Sequence, residues 1–344
     1  MSSPRPAIGL ALCLWILSAS SALARSPAPP GVPPAVAPPS GHLRLVIQHA
    51  HGGHPFELVG ERLVIRGIVT PFVAGQRVAV GFYRDGRRVG TKTVSVLDLG
   101  NGAGQFHVGY VSFRTGVLRA KASHVGTPGQ AAFGAHSPGV RFIGANIGQG
   151  ARGPAVGLLQ SKLSALHYSV PTSGFFDEAT GRAVIAYRKM TGLELVSHTD
   201  ARMFRSLARG AGAFHVRYRR DGRHVEADLR KQVLAEIEPG GRVRRIYTMS
   251  SGKPSTPTVV GRFRVYVKTP GENSKGMVDS NYFIRGYAIH GYAEVPTYAA
   301  SHGCLRVPIP DAASIYAWVQ VGTPVDVYTE GGAGSRYVSP HAGP

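Results

Sequence analysis

Cys304 lies in the run Ser301-His302-Gly303-Cys304-Leu305-Arg306, with a second histidine, His290, fourteen residues upstream. The chain's other cysteine, Cys13, falls in an apolar run that follows Arg5 and leads to Ala22-Leu23-Ala24. A charged start, a short apolar stretch and a small-residue site form the pattern of an export signal cleaved after residue 24. An exported chain that keeps one thiol has no internal disulfide partner, which leaves intermolecular pairing or a reactive cysteine. His302, His290 and Arg306 are the kinds of group that lower a thiol pKa and hold developing negative charge. The pattern points to cysteine nucleophilic catalysis outside the cytoplasm.

Such a centre needs a nucleophile, a base within reach, an orienter for the base and donors for an oxyanion. Cys304 is the nucleophile. Gly303 allows close backbone approach, so the amides near Gly303 and Cys304 could face a tetrahedral oxygen. His302 would share a face with Cys304 if the segment were a strand, whereas His290 ends the apolar run Tyr287-Ala288-Ile289. Chemistry alone does not choose between them. Arg306 could bind a carboxylate or support the oxyanion. The plainer readings are inert packing for Cys304, which its polar surroundings oppose, and loop-holding roles for His302 and Arg306. Zinc held by Cys304, His290 and His302 is the sharper rival, but the spacing fits no zinc motif. No metal or cofactor is expected.

The elements that must position these residues read as follows. The 344-residue chain has room for two or three domains. Residues 25–41 are proline-rich and nearly uncharged, a semi-rigid spacer. Residues 42–144 carry short alternating apolar runs at Leu43–Ile47, Leu63–Val69, Val78–Tyr83, Val89–Val96, Phe106–Phe113, Val117–Ala122 and Val140–Ile143, with a hairpin signal at Asp85-Gly86. That spacing predicts an immunoglobulin-like β-sandwich. His49, His51 and His54 lie together in it, and with no acidic or cysteine ligand in view they read as a histidine-bearing flexible loop rather than a metal site.

Residues 153–210 have helical spacing at Val156, Leu159, Leu163 and Leu166, a second helix capped by Asp177, and a third capped by Thr199 or Asp200. Residues 213–329 turn β-rich, with strands at Val216–Arg219, His224–Leu229, Gln232–Ile237, Arg242–Met249, Gly261–Val267 and Pro324–Tyr328, and a helix over Asp311–Val321. Residues 330–344 read as a flexible tail. The formal net charge of +20 suits anionic partners, which for an exported protein would be acidic wall polymers or lipid headgroups. Export argues against nucleic acid, and no later segment is apolar enough to span a membrane. A biased genome, rich in arginine codons, accounts for the charge equally well.

Two stretches resemble known families. LQSKLSALHYSV…SGFFDEATGRAVIAYRKMTGL, within residues 153–209, is similar to the peptidoglycan-binding domain of bacterial wall hydrolases, which implies a wall-binding module. YAIHGYAEVPTYAASHGCLRVPIPDAASIYAWV looks like the catalytic core of L,D-transpeptidases, and the resemblance extends through HVEADLRKQVLAEI and SSGKPSTPTVVGRFRV over about 213–329. Ser250-Ser251-Gly252 departs conservatively from the family's Ser-Thr-Gly. The resemblance implies a mostly β catalytic domain; with the sandwich and the small three-helix module read above, the chain is expected to be multidomain and mainly β. In it Cys304 would be acylated and His290 would be the general base. Ser301, His302, Gly303, Arg306 and Gly291 would line the oxyanion and substrate region. The implied activity is formation of 3→3 cross-links between peptidoglycan stem peptides at the cell wall, open to carbapenem inhibition. The alternatives are an L,D-carboxypeptidase using the same acyl-enzyme, or a non-catalytic wall-binding protein.

Overall fold

The computed structural model describes residues 37–334 and 336–339; the segment read as an export signal and most of the segment read as a proline-rich spacer lie outside them. Among the described residues no helix is long and apolar enough to cross a membrane.

The first half is two facing sheets. One has the order β1 (His42–Gln48), β3 (Arg62–Thr70), β7 (Gly104–Val111), β6 (Leu97–Asp98). The other runs β2 (Phe56–Leu58), β10 (Val140–Ile143), β8 (Gly116–His124), β4 (Arg77–Arg84), β5 (Arg87–Ser95), with β9 (Phe133–His136) beside β8. Alternation puts Leu63, Ile65 and Val69 from one sheet and Val78, Val80, Phe82, Leu118 and Ala120 from the other into a single core. Asp85 and Gly86, both at positive φ, make the tight turn between β4 and β5.

The loop after β1 corrects the sequence reading. No acidic ligand was expected near its histidines, yet Glu57 on β2 and Glu61 in the turn after it come within 4.8 Å of His51, atom to atom. β2 is only three residues long and has a glutamate at its centre, so no alternation marks it.

Three helices follow. α1 (Pro154–Ala165) has a proline in its first turn, where no intrahelical N–H is missed. α2 (Glu178–Thr191) starts where the Asp177 carboxylate accepts from Thr180 N–H at 2.8 Å. α3 (Ala201–Ala208) starts where Asp200, rather than Thr199, accepts from Met203 N–H at 2.7 Å.

The remainder is two sheets and one helix. The first sheet has the order β13 (Arg242–Thr248), β12 (Val233–Glu238), β11 (His224–Asp228), β19 (Pro324–Tyr328), β14 (Gly261–Arg264). The second has β15 (Val267–Glu272), β16 (Val278–Ile284), β17 (Tyr287–Tyr292), β18 (Leu305–Pro308). α4 (Ile309–Trp318) packs with both, through Ala312, Ile315 and Trp318. It begins two residues before the expected Asp311, because Pro310 fits its first turn. Val216–Arg219 is not a strand. The N–H groups of Arg217 and Tyr218 donate to the buried Glu226 carboxylate at 2.9 and 2.8 Å, which satisfies them without a neighbouring strand. In the segment read as a flexible tail, Tyr337 Oη donates to Asp221 at 2.9 Å and Val338 N–H to Arg262 O at 2.7 Å.

The helices and the first of these sheets share one core. Val156, Leu159, Tyr187 and Phe204 bury against Val233, Ala235, Ile237 and Ile246. Lys189 of α2 reaches the far end of the same sheet, where its Nζ donates to Gln232 O, Thr248 Oγ1 and Met249 O at 2.8–3.1 Å. The helical unit is therefore a wall of the second half of the molecule.

Candidate active site

β17 and β18 are parallel neighbours in the register Ile289↔Leu305, His290↔Arg306, Gly291↔Val307. Cys304 immediately precedes β18. Two-residue periodicity places Cys304, Arg306 and His290 on one face of this pair. A side chain fourteen residues upstream is brought to the same face as the thiol, two positions along, by sheet register, with the loop 293–303 closing the crossover.

That loop is held from below by the segment after β13. Ser250 exchanges backbone hydrogen bonds with Arg306, and Ser251 O accepts from both Ala300 N–H and Ser301 N–H. Ser250 Oγ donates to Tyr298 O at 2.7 Å, and Thr258 Oγ1 donates to Gly303 O at 2.8 Å. Ser301 is fully buried; its Oγ donates to Cys304 O at 2.6 Å and accepts from Gly303 N–H at 3.0 Å. The Gly303 amide is therefore engaged within the loop and not aimed outward, contrary to the sequence expectation. Gly303 has φ +118°, and the Tyr287 ring occupies the place a Cβ would take. Glycine is required there by both backbone and space.

The two histidines separate clearly. His302 is exposed, its Nε2 lies 3.4 Å from Lys253 Nζ, and residues 301–303 are not strand, so it does not share a strand face with Cys304. His290 is buried, and its Nδ1 donates to Gly291 O at 2.8 Å. That bond orients the ring and leaves Nε2 as the lone-pair nitrogen. Burial, aided by the nearby Arg306 charge, pushes the His290 pKa below its ordinary value. Neutral imidazole is the resting form at neutral pH. Gly291 also lets α4 approach: a Cβ there would lie 2.8 Å from Ala312 Cβ.

Cys304 is half-buried, and its Sγ donates to Gly286 O at 3.6 Å. Burial pushes its pKa above the ordinary thiol value; the Ala288 N–H, Arg306 and Lys275 pull the other way without reversing it. The sequence reading expected the neighbouring cations to dominate. They do not, and the resting pair is thiol and neutral imidazole. Arg306 stacks on the Tyr292 ring with its guanidinium carbon 3.9 Å from the centroid, and Tyr292 meets His290 edge-on at 5.7 Å. Tyr292 also lines a cavity of about 500 Å³ with Glu178, Arg182, Val295, Thr297 and Pro308, between the helical unit and the catalytic loop.

Sequence reasoning missed Thr258, Tyr287, Tyr292, Lys253 and Lys275. Tyr287 and Tyr292 flank the histidine in the Tyr287–Tyr292 run, and that was the available signal. Lys275 sits in a hairpin loop, and nothing in the sequence links it to Cys304.

The family model for the L,D-transpeptidase catalytic domain matches residues 222–327. Among solved structures, an L,D-transpeptidase from Xylanimonas cellulosilytica is 32% identical, over 54% of this chain and 98% of that one, with a TM-score of 0.50. An L,D-transpeptidase from Stackebrandtia nassauensis is 20% identical over 54% of this chain and 96% of its own, with a TM-score of 0.35. One from Enterococcus faecium is 27% identical over 31% and 50%, with a TM-score of 0.28. No curated protein matches the chain. The chain belongs to the L,D-transpeptidases, with its catalytic domain at residues 222–327.

Proposed function

We propose that this protein is an exported cell-wall enzyme that forms 3→3 cross-links through a thioester on Cys304. The observation that carries this is the register of β17 and β18, which sets Cys304 and His290 on one face. The Cys304 sulfur attacks the carbonyl of the third residue of a tetrapeptide stem. His290 Nε2 takes the thiol proton as the carbon–sulfur bond forms. The protonated imidazole then delivers that proton to the amine of the departing D-alanine. An amine from a neighbouring stem attacks the thioester, His290 accepts its proton, and the amide forms as the thiol is restored.

In this reading the Cys304 N–H serves the oxyanion, because Gly303 N–H is engaged by Ser301. Ser301 and Gly303 hold the loop, and Gly291 O fixes the imidazole. Arg306, held by Tyr292, supplies positive charge to the oxyanion or to a stem carboxylate. His302 sits at the exposed rim with Lys253. Residues 153–210 act as the wall-binding module, and the cavity they form with the catalytic loop holds part of the peptidoglycan beside the site. The +20 charge favours acidic wall polymers.

Incubation with a disaccharide-tetrapeptide tests the reading. A dimer lacking one D-alanine is the expected product. Tripeptide alone would make this an L,D-carboxypeptidase. No product, with sedimentation on isolated walls intact, would leave a binding protein.

A further inference from the structure

We propose that His51, Glu57 and Glu61 form a binding site for a divalent transition-metal ion of the zinc class, outside the catalytic domain. The three residues converge by backbone construction. His51 and Phe56 exchange two backbone hydrogen bonds, His51 N–H to Phe56 O at 3.0 Å and Phe56 N–H to His51 O at 3.1 Å. These set the loop that carries His51 against β2, where Glu57 follows Phe56. A tight turn, with Glu61 N–H donating to Leu58 O at 3.0 Å, brings Glu61 back over the same strand. Leu58 N–H donates to Glu61 Oε2 at 3.3 Å, and the His51 ring packs at 5.3 Å from the Phe56 ring. Each orients a ligand from behind, as outer partners of a metal site do.

The spacing suits one ion. His51 Nε2 lies 3.3 Å from Glu61 Oε2 and 3.8 Å from Glu57 Oε2. Donors arranged tetrahedrally around an ion at about 2.1 Å stand roughly 3.4 Å apart. The Glu57 side chain is only 3% exposed, so bulk water cannot screen it from Glu61. Two carboxylates in such contact need a proton or a cation between them. An imidazole with two carboxylates is a donor set for zinc-like ions; calcium would want six to eight oxygens. The fourth position opens into a cavity of about 370 Å³ that His49, Arg62, Arg205 and Arg209 also line. The three arginines oppose a free cation in that cavity and favour an anion as the fourth ligand of an ion held by the two carboxylates. The site sits where the sandwich faces α3.

The test uses the purified protein carrying Cys304→Ser, since a catalytic thiol can itself bind zinc. After EDTA and dialysis it is titrated with zinc sulfate by calorimetry, and its melting temperature is followed with and without the metal. One equivalent should bind and raise the melting temperature. His51→Ala and the near-isosteric Glu61→Gln should each weaken binding at least about tenfold, with far-UV circular dichroism unchanged, and His54→Ala should bind as before. Absence of stoichiometric binding, or binding that neither variant weakens, would overturn the proposal and leave a carboxyl pair sharing a proton with His51.

Discussion

The Cys304 thiol sits between opposing influences, and their balance fixes how it must be activated. Burial holds it protonated while Arg306, Lys275 and the Ala288 amide favour the thiolate. His290, pushed below its ordinary pKa, is free to take the proton. Alkylation of Cys304 by iodoacetamide, followed against pH, should therefore rise with a midpoint above that of an ordinary free thiol. The sign follows from the shift: a raised thiol pKa moves the thiolate to higher pH. A plateau reached below pH 7 would mean a preformed thiolate–imidazolium pair instead. His290→Asn should lower turnover on the order of 10²–10⁴-fold, the range for a lost acid–base group. His302→Ala should cost only a few-fold, because that ring is exposed against Lys253; equal losses in steady-state assays would contradict the assignment. Cys304 stands out as a candidate nucleophile in the sequence because its polar, glycine-containing neighbours are contiguous. The preference for His290 over His302 does not, since it depends on burial and on the hydrogen bond to Gly291 O.

At the scale of elements, a short segment after β13 and the β17–β18 pair together make the site. Gly303→Ala would place a methyl group into the Tyr287 ring and strain a residue at φ +118°. It should abolish activity while leaving most of the circular dichroism signal, since the rest of the sheet is held elsewhere; an active Gly303→Ala enzyme would show that the loop has another conformation. Lys189 ties α2 to the strand ends through three acceptors. Lys189→Met should lower unfolding free energy by about 1–3 kcal/mol in urea titration, because buried carbonyls lose their donor. Strands with clean alternation, such as β3, β4 and β8, were legible in the sequence. β2, β6 and β9 are too short to show a period, β15 is mostly exposed, and β16 buries the polar Ser280 and Asn281 beside Phe283 and Ile284, which breaks its alternation. Val216–Arg219 has strand-like composition, yet it is claimed by the Glu226 carboxylate. Such side-chain-to-backbone capture is invisible to periodicity.

Across the whole molecule, the helical unit and the catalytic sheet share a core. Residues 213–339 alone would expose Val233, Ala235, Ile237 and Ile246, so that fragment should aggregate or melt well below a fragment spanning 145–339. Size-exclusion chromatography with scanning calorimetry separates the cases, and equal stability would show the shared core to be dispensable. This dependence was not legible from the sequence, where residues 153–210 and 213–329 read as separate helical and β-rich segments. The composition speaks to charge and the motif to chemistry, but neither speaks to which faces meet. The account rests most directly on Cys304 becoming acylated. Intact mass spectrometry of the wild-type protein and of Cys304→Ala after exposure to a carbapenem measures this. The prediction is one adduct on the wild type and none on the variant; an adduct on both, or on neither, would contradict it.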